Sequence, residues 1–160
     1  MSEAWVVNAS PLILFARIGR LELLARVAPG LMIPDAVLKE VRHGQEKDDT
    51  ATTALSWAER YRVTDIAIPV SIEHWDLGSG ESQVIAHGTL GPRWVVLDDR
   101  AARRCAAAHN VPVIGSLGVA LRCKSRGLID EARPLIRKLI AAGMFLDERF
   151  LERTLKNVGE

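Results

Sequence analysis

The chain has 160 residues, a length for one domain rather than two, and 48% hydrophobic with 26% charged residues is the mix of an ordinary folded globule. With 21 basic against 20 acidic residues the net charge is +1, which argues against a protein that coats DNA through a bulk basic excess and leaves room for a local patch. No run approaches ~18 uninterrupted apolar residues, and the N-terminus lacks the basic start and small-residue cleavage site of a signal peptide, so a cytoplasmic protein with no membrane span is expected.

Taken in order, Ala4 to Val7 (AWVV) reads as a short buried strand that stops at Asn8. Ser10 is the expected N-cap of the next helix, with Pro11 at its first position and Gly19 at its end. A second helix runs through Leu21, Leu24 and Val27 to Pro29-Gly30. Leu31 to Ile33 is a second strand, and Pro34-Asp35 opens a helix carrying Val37, Leu38 and Val41 inward. The stretch QEKDDT, residues 45–50, is the most polar in the chain and reads as a solvated loop. A helix over residues 51–60 follows. Residues 62–72 read as one or two extended pieces, with Pro69 marking an edge or a loop.

Gly78-Ser79-Gly80-Glu81 begins a helix that runs to His87-Gly88. Trp94 to Leu97 (WVVL) is a strand of the continuous, buried kind. It ends in Asp98-Asp99 and leads into an Ala-rich helix. Val111 to Ile114 is a last strand, and helices around residues 117–126, 130–142 and 147–157 complete the chain. The last of these carries an apolar stripe of Phe150, Leu151, Leu155 and Val158, which either closes the core or forms a dimer contact. Strands alternating with helices imply βαβ units, so the expected fold class is α/β: a parallel sheet of about four to five strands flanked by helices.

Residues just past the carboxyl ends of parallel strands gather on one edge, where open α/β sheets bind ligands. Asn8 and the pair Asp98-Asp99 stand at such ends. Glu40 and Glu81 reach the same edge if their helices begin there. Each also has a purely structural reading: a backbone bridge for Asn8, a solvated carboxylate beside Lys39 or His43 for Glu40, a helix-dipole partner for Glu81, an N-cap for Asp98. Several acids on one edge are costly without a cation. Mg²⁺ or Mn²⁺, held by carboxylate oxygens and water, supplies one and activates a water for phosphodiester attack.

Arg100, Arg103 and Arg104 follow the acids on one helix, and Arg17, Arg20 and Arg42 fall near the same edge. They read either as phosphate contacts or as a solvated basic face balancing the acids. The four histidines show no metal spacing. Trp5, Trp57, Trp75 and Trp94 read as packing anchors rather than base-stacking platforms, and Cys105 and Cys123 as free thiols.

The blocks VVNASPLILFARIGRLELL, IPDAVLKEV, LGSGESQVIAHG and VVLDDRAARRCAAAHNVPVIGSLGVALRCKSRGLI, with the closing RPLIRKLIAAGMFLDERFLERTL, resemble a bacterial and archaeal branch of PIN-domain proteins. The resemblance spans nearly the whole chain, and residues 97–127 are its most specific part. It implies a single PIN-like three-layer domain, with the helices from about residue 130 to 158 on its core or at a dimer interface. It also implies a metal-dependent ribonuclease, such as the toxin of a toxin–antitoxin module. By that resemblance the four acidic positions fall on Asn8, Glu40, Glu81 and Asp99, with Asp98 beside the last; Glu40, Glu81 and Asp99 are the expected catalytic metal ligands, and Asn8 and Asp98 are expected to assist in binding the metal. Ser10 matches a small hydroxyl residue near the first position, and Ser116 is a further residue on the same edge. An RNA substrate, an Mg²⁺ or Mn²⁺ cofactor, a cognate antitoxin and a homodimer follow from it too. This chain departs from the pattern at Asn8, whose amide oxygen ligates Mg²⁺ without bringing charge. The alternatives are a PIN-like module with degenerate chemistry that binds nucleic acid or protein without cutting, and a doubly wound nucleotide-binding domain. No GxGxxG or Walker run supports the last.

Overall fold

A computed structural model describes residues 3–44 and 49–160. Five strands form one all-parallel sheet: β1 (Ala4–Val7), β2 (Leu31–Pro34), β3 (Arg62–Val63), β4 (Arg93–Val96) and β5 (Val113–Ile114), in the order β3-β2-β1-β4-β5. β1 is central because its apolar run is covered on both faces, and Val6 pairs with Met32 on one side and Val95 on the other. The chain builds β2 and β3 outward on one side of β1, then crosses to lay β4 and β5 on the other. That reversal leaves a crevice at the carboxyl ends of β1 and β4, the place where open parallel sheets take ligands.

Ten helices flank the sheet among the described residues: α1 (Ala9–Arg17), α2 (Leu21–Val27), α3 (Asp35–His43), α4 (Thr50–Ala58), α5 (Val70–Glu73), α6 (Ser79–Gly88), α7 (Arg100–Ala108), α8 (Ser116–Ser125), α9 (Ala132–Ala141) and α10 (Glu148–Asn157). The α/β class expected from the alternation is the fold observed. α6 lies across β1, β2 and β4 and packs against α3 and α7, so it carries Glu81 to the sheet's carboxyl edge. Two of its polar side chains hold the segment after β3. Gln83 accepts from Ile66 N at 3.0 Å and donates to Ile66 O at 2.7 Å, and His87 Nε2 donates to Thr64 O at 3.1 Å.

The last helices are tied by the chain's final residue. The Glu160 carboxylate accepts from Lys124 Nζ and Ala132 N, both at 2.7 Å, and from Arg133 N at 2.9 Å. Burial works against its charge, but these donors outweigh it and hold the carboxyl at about 2. Leu151 and Leu155 of α10 are fully buried, as the apolar stripe requires, whereas Phe150 of the same stripe is half exposed.

Several local expectations are corrected. Ser10 is not the N-cap of α1. Asn8 is still extended (φ −83°, ψ 169°) and stands at the cap position, and the helix is already under way at Ala9. Pro11 is tolerated there because first-turn N–H groups have no intrahelical acceptor to lose. The N-cap of the Ala-rich helix α7 is Asp99, which accepts from Ala102 N at 2.9 Å, and not Asp98. The segment expected as one or two extended pieces yields only the two-residue edge strand β3, and Pro69 precedes α5. Most of the polar stretch 45–50 lies outside the described residues. Trp5 is in the core and stacks on Trp94 with centroids 6.3 Å apart, while Trp75 is exposed. Cys105 and Cys123 are buried and unpaired, and burial pushes the Cys123 thiol up to about 11. No helix among the described residues is long and apolar enough to cross a membrane.

Candidate functional site at the carboxyl edge of the sheet

Asn8 ends β1 and is only 5% exposed. Its backbone works in both neighbouring elements: its N–H donates to Val96 O at 3.2 Å and its carbonyl accepts from Leu12 N at 3.4 Å. Its side chain does not cap α1, and Oδ1 is buried with no hydrogen-bond partner. The reading of Asn8 as a backbone bridge through its side chain is therefore set aside. An orphaned buried acceptor costs about 1–3 kcal/mol, a cost that a donor or a cation would relieve.

Glu40 does not pair with Lys39 or His43. Its Oε1 crosses to α6 and accepts from Gly80 N at 2.9 Å, one of the free donors of the helix N-terminus. A Cβ on Gly80 would sit 2.6 Å from that oxygen, so the absence of a side chain is what admits the carboxylate. A Cβ on Gly78 would stand 3.5 Å from Glu81 Oε1 and 3.6 Å from Glu40 Oε1, so both acids border one small space.

Glu81 occupies the first turn of α6, and its Oε2 is buried without a partner. Burial, then the charges of Asp99 and Glu40, push its carboxyl up to about 7. A protonated Glu81 would also share its proton with Asp99. Glu40, Glu81 and Asp99 thus belong to one electrostatic neighbourhood, drawn from α3, α6 and the end of β4.

Asp98 turns the other way. Its Oδ1 accepts from Ser116 N at 2.7 Å and its Oδ2 from Ser116 Oγ at 2.6 Å, so both oxygens secure the start of α8. Ser116 is fully buried by this contact. Ser10 is exposed at a junction between two hollows. One, of about 340 Å³, includes Glu40 and Arg17. The other, of about 940 Å³, includes Asp98 and all three arginines, Arg100, Arg103 and Arg104. Arg20 is spent on Glu22 at 2.7 Å. Phe145, on the far wall of the larger hollow, and the two close glycines Gly78 and Gly80 escaped the sequence reading. The glycines were legible only as a helix start.

Among the described residues no three of His, Cys, Asp and Glu stand close enough to ligate one ion together. That arrangement does not suit an all-protein cage. It does suit a small hard cation that keeps most of its waters and takes one or two carboxylates, as Mg²⁺ does. The two orphaned oxygens, the raised Glu81 and the glycine-lined space are the features such an ion would relieve.

Comparisons with known proteins bear on the fold and the family. The DUF3368 family model, described as a PIN domain, matches residues 4–160. The crystal structure of PAE2754 from Pyrobaculum aerophilum superposes with a TM-score of 0.57 at 12% identity, covering 77% of this chain and 90% of that one. At that identity the likeness speaks for the fold alone. No curated protein matches the chain. PIN domains form a nuclease superfamily whose members generally use divalent metal ions and act on nucleic acid. With its parallel five-stranded sheet and a family match over almost its full length, the chain belongs to the DUF3368 family of PIN domains.

Proposed function

We propose that this protein is a metal-dependent endoribonuclease whose centre comprises Glu40, Glu81 and Asp99, with Asn8 lending a neutral oxygen. What carries the reading is the raised Glu81 carboxyl, whose own Oε2 is buried without a partner, together with the likewise orphaned Oδ1 of Asn8 at the carboxyl end of β1. Mg²⁺ or Mn²⁺ would keep most of its waters and take one or two carboxylates from among Glu40, Glu81 and Asp99, with Asn8 lending its oxygen beside them. Such an ion offsets the charge of the phosphate and makes water a nucleophile near neutral pH. Glu40 is kept in place by Gly80 N, and Asp99 by its cap on α7. Asp98 positions rather than ligates, by fixing Ser116 and α8 to the end of β4. Ser10, exposed between the hollows, would orient a water, and Arg100, Arg103 and Arg104 would meet phosphates.

We also read residues 1–160 as a single PIN-like domain whose C-terminal helices serve the core or a dimer contact, since the family match runs to residue 160. A toxin of a toxin–antitoxin module, cytoplasmic and homodimeric, with a cognate antitoxin, is supported by the resemblance to PIN-domain toxins.

A second reading has its own observation. Asn8 carries no charge, and among the described residues no three acids are grouped for one ion, which is what a PIN-like module that binds without cutting would retain. RNA cleavage with Mn²⁺ and with EDTA separates the two, using wild type, Glu81→Gln and Asn8→Asp. Cleavage that EDTA and Glu81→Gln both abolish supports the nuclease. RNA binding without cleavage in any form supports the module. Activity gained only by Asn8→Asp identifies a degenerate centre.

A further inference from the structure

We propose that the larger groove binds an unpaired stretch of RNA, with phosphates along Arg100 and Arg104 and bases against Phe145 and Phe150. This deepens the reading of the chain as an RNA-acting protein, but it does not depend on cleavage.

The groove has two unlike walls. One is α7, which presents Arg100, Arg103 and Arg104. Arg103 spends one N–H on Leu97 O at 3.3 Å. Arg100 and Arg104 have no hydrogen bond or ion pair among the described residues. That contrasts with Arg133 and Arg137 on α9, which pair with Glu152 and Glu148 of α10. A basic face that merely balanced local acids would resemble the second case. Asp98, the carboxylate that lines this groove, is committed to Ser116.

The other wall is the connection from α9 to α10. Phe145 is 96% exposed, the most exposed of the large hydrophobic side chains, and Phe150 is 45% exposed. Both line the same groove as the arginines. The connection is anchored at both ends. Arg17 Nη1 donates to Ala142 O at 2.9 Å, and Asp147 caps α10 by accepting from Arg149 N and Phe150 N at 2.7 and 3.1 Å. Gly143, with φ +124°, makes the turn that directs the segment over the groove. Phe145 is thus held out by a fixed segment with nothing among the described residues covering it.

A row of uncommitted cations facing exposed aromatic rings is the arrangement that takes single-stranded nucleic acid, since every base has a face to stack. A duplex keeps its bases stacked on each other and offers Phe145 nothing. The charge complementarity of the arginine wall favours RNA as occupant over an apolar partner helix or a second copy of the chain.

The test measures binding by fluorescence anisotropy in EDTA, on the full chain carrying Glu81→Gln so that no probe is cut. The probes are an unstructured labelled RNA, the same sequence as a duplex, and an abasic strand with the same number of phosphates. The unstructured RNA is expected to bind about tenfold tighter than either other probe. Phe145→Ala and Phe150→Ala each remove most of that advantage and leave the abasic strand's affinity unchanged, while Phe145→Trp retains it. Arg100→Ala and Arg104→Ala weaken all three probes and reduce the salt slope by about one each. Equal affinity for abasic and base-bearing strands overturns the proposal, as does absence of RNA binding. So does a Phe145→Ala variant that binds RNA normally but loses self-association in sedimentation, which makes the groove a contact between copies. Base-dependent binding without cleavage by the wild type leaves this proposal standing and overturns only the nuclease reading.

Discussion

Glu40 accepts the backbone N–H of Gly80 at 2.9 Å, joining α3 to the N-terminus of α6 across 40 residues of sequence. The contact depends on Gly80 having no side chain, because a Cβ there would lie within 2.9 Å of three atoms of the Glu40 carboxyl group. Gly80→Ala therefore displaces Glu40 rather than the backbone. Losing the charged hydrogen bond costs about 1.5–3 kcal/mol, and alanine in a helix returns about 0.5–1 kcal/mol. The expected result is a net stability loss of about 0.5–2.5 kcal/mol in urea unfolding. RNA cleavage should fall at least about tenfold, ~1.4 kcal/mol in barrier. Unaltered cleavage by Gly80→Ala would remove Glu40 from the centre.

Glu81 links the same corner to pH. Its folded value of about 7 lies above the ordinary 4.5. Between those values the folded chain keeps a proton that the unfolded chain has released. The stability this contributes is complete below about pH 4.5, declines as pH rises and is gone above about 7. In EDTA, Tm should therefore drop by about 3–8 °C from about pH 5 to about pH 8 from this group. Mn²⁺ should restore Tm more at the higher pH, because a cation answers the like charges of Asp99 and Glu40. Glu81→Gln should flatten the pH dependence and blunt the Mn²⁺ response. A wild-type Tm that responds to Mn²⁺ equally at both pH values would separate the ion from Glu81.

Much of the scaffold was legible because its signals are local. Ala4 to Val7 and the WVVL run are continuous apolar stretches, and they became β1 and β4, the latter shifted by one residue. The carboxyl-edge rule then pointed to Asn8 and the pair Asp98-Asp99 with no contact information. What escaped depends on partners far away in sequence. Asp98 and Asp99 are adjacent and chemically alike, yet Asp99 caps α7 while Asp98 faces Ser116, 18 residues on. Two acids at a strand end do not announce which will turn inward. Ser10 looked like a cap by residue type, but β1 ends early enough for Asn8 to take that position. Phe145 passed unremarked because a phenylalanine between two helices is ordinarily core; only the packing reveals it as 96% exposed.

The Asp98–Ser116 pair predicts a different response from the acids at the centre. Both carboxylate oxygens are used at 2.7 and 2.6 Å, on the backbone and hydroxyl of a fully buried serine. Asp98→Ala strips two charge-assisted bonds and leaves the start of α8 without its acceptor, at a cost of about 2–4 kcal/mol. Ser116→Ala removes one bond and should cost about 1–2 kcal/mol. Urea unfolding measures both. Cleavage per folded molecule should fall less than in Glu81→Gln. A stable Asp98→Ala protein devoid of activity would instead assign Asp98 to the chemistry.

Asn8 offers the sharpest separation of a working centre from a remnant. Its Oδ1 is buried without a partner, on the edge that also carries Glu81 Oε2. Asn8→Asp keeps the shape and adds a charge. Without a cation that charge is poorly solvated and opposed by the neighbouring acids, so the variant in EDTA should be less stable than wild type by about 1–3 kcal/mol. With Mn²⁺ the order should reverse, because the added carboxylate becomes a charged ligand. Thermal-shift titration should then give an Mn²⁺ affinity about tenfold tighter than wild type, ~1.4 kcal/mol. Glu81→Gln in the Asn8→Asp background should cancel most of that gain, since the two residues would share the ion. An unchanged Mn²⁺ affinity in Asn8→Asp would mean that the orphaned oxygen lies beyond the cation's reach, and the centre would reduce to its carboxylates alone.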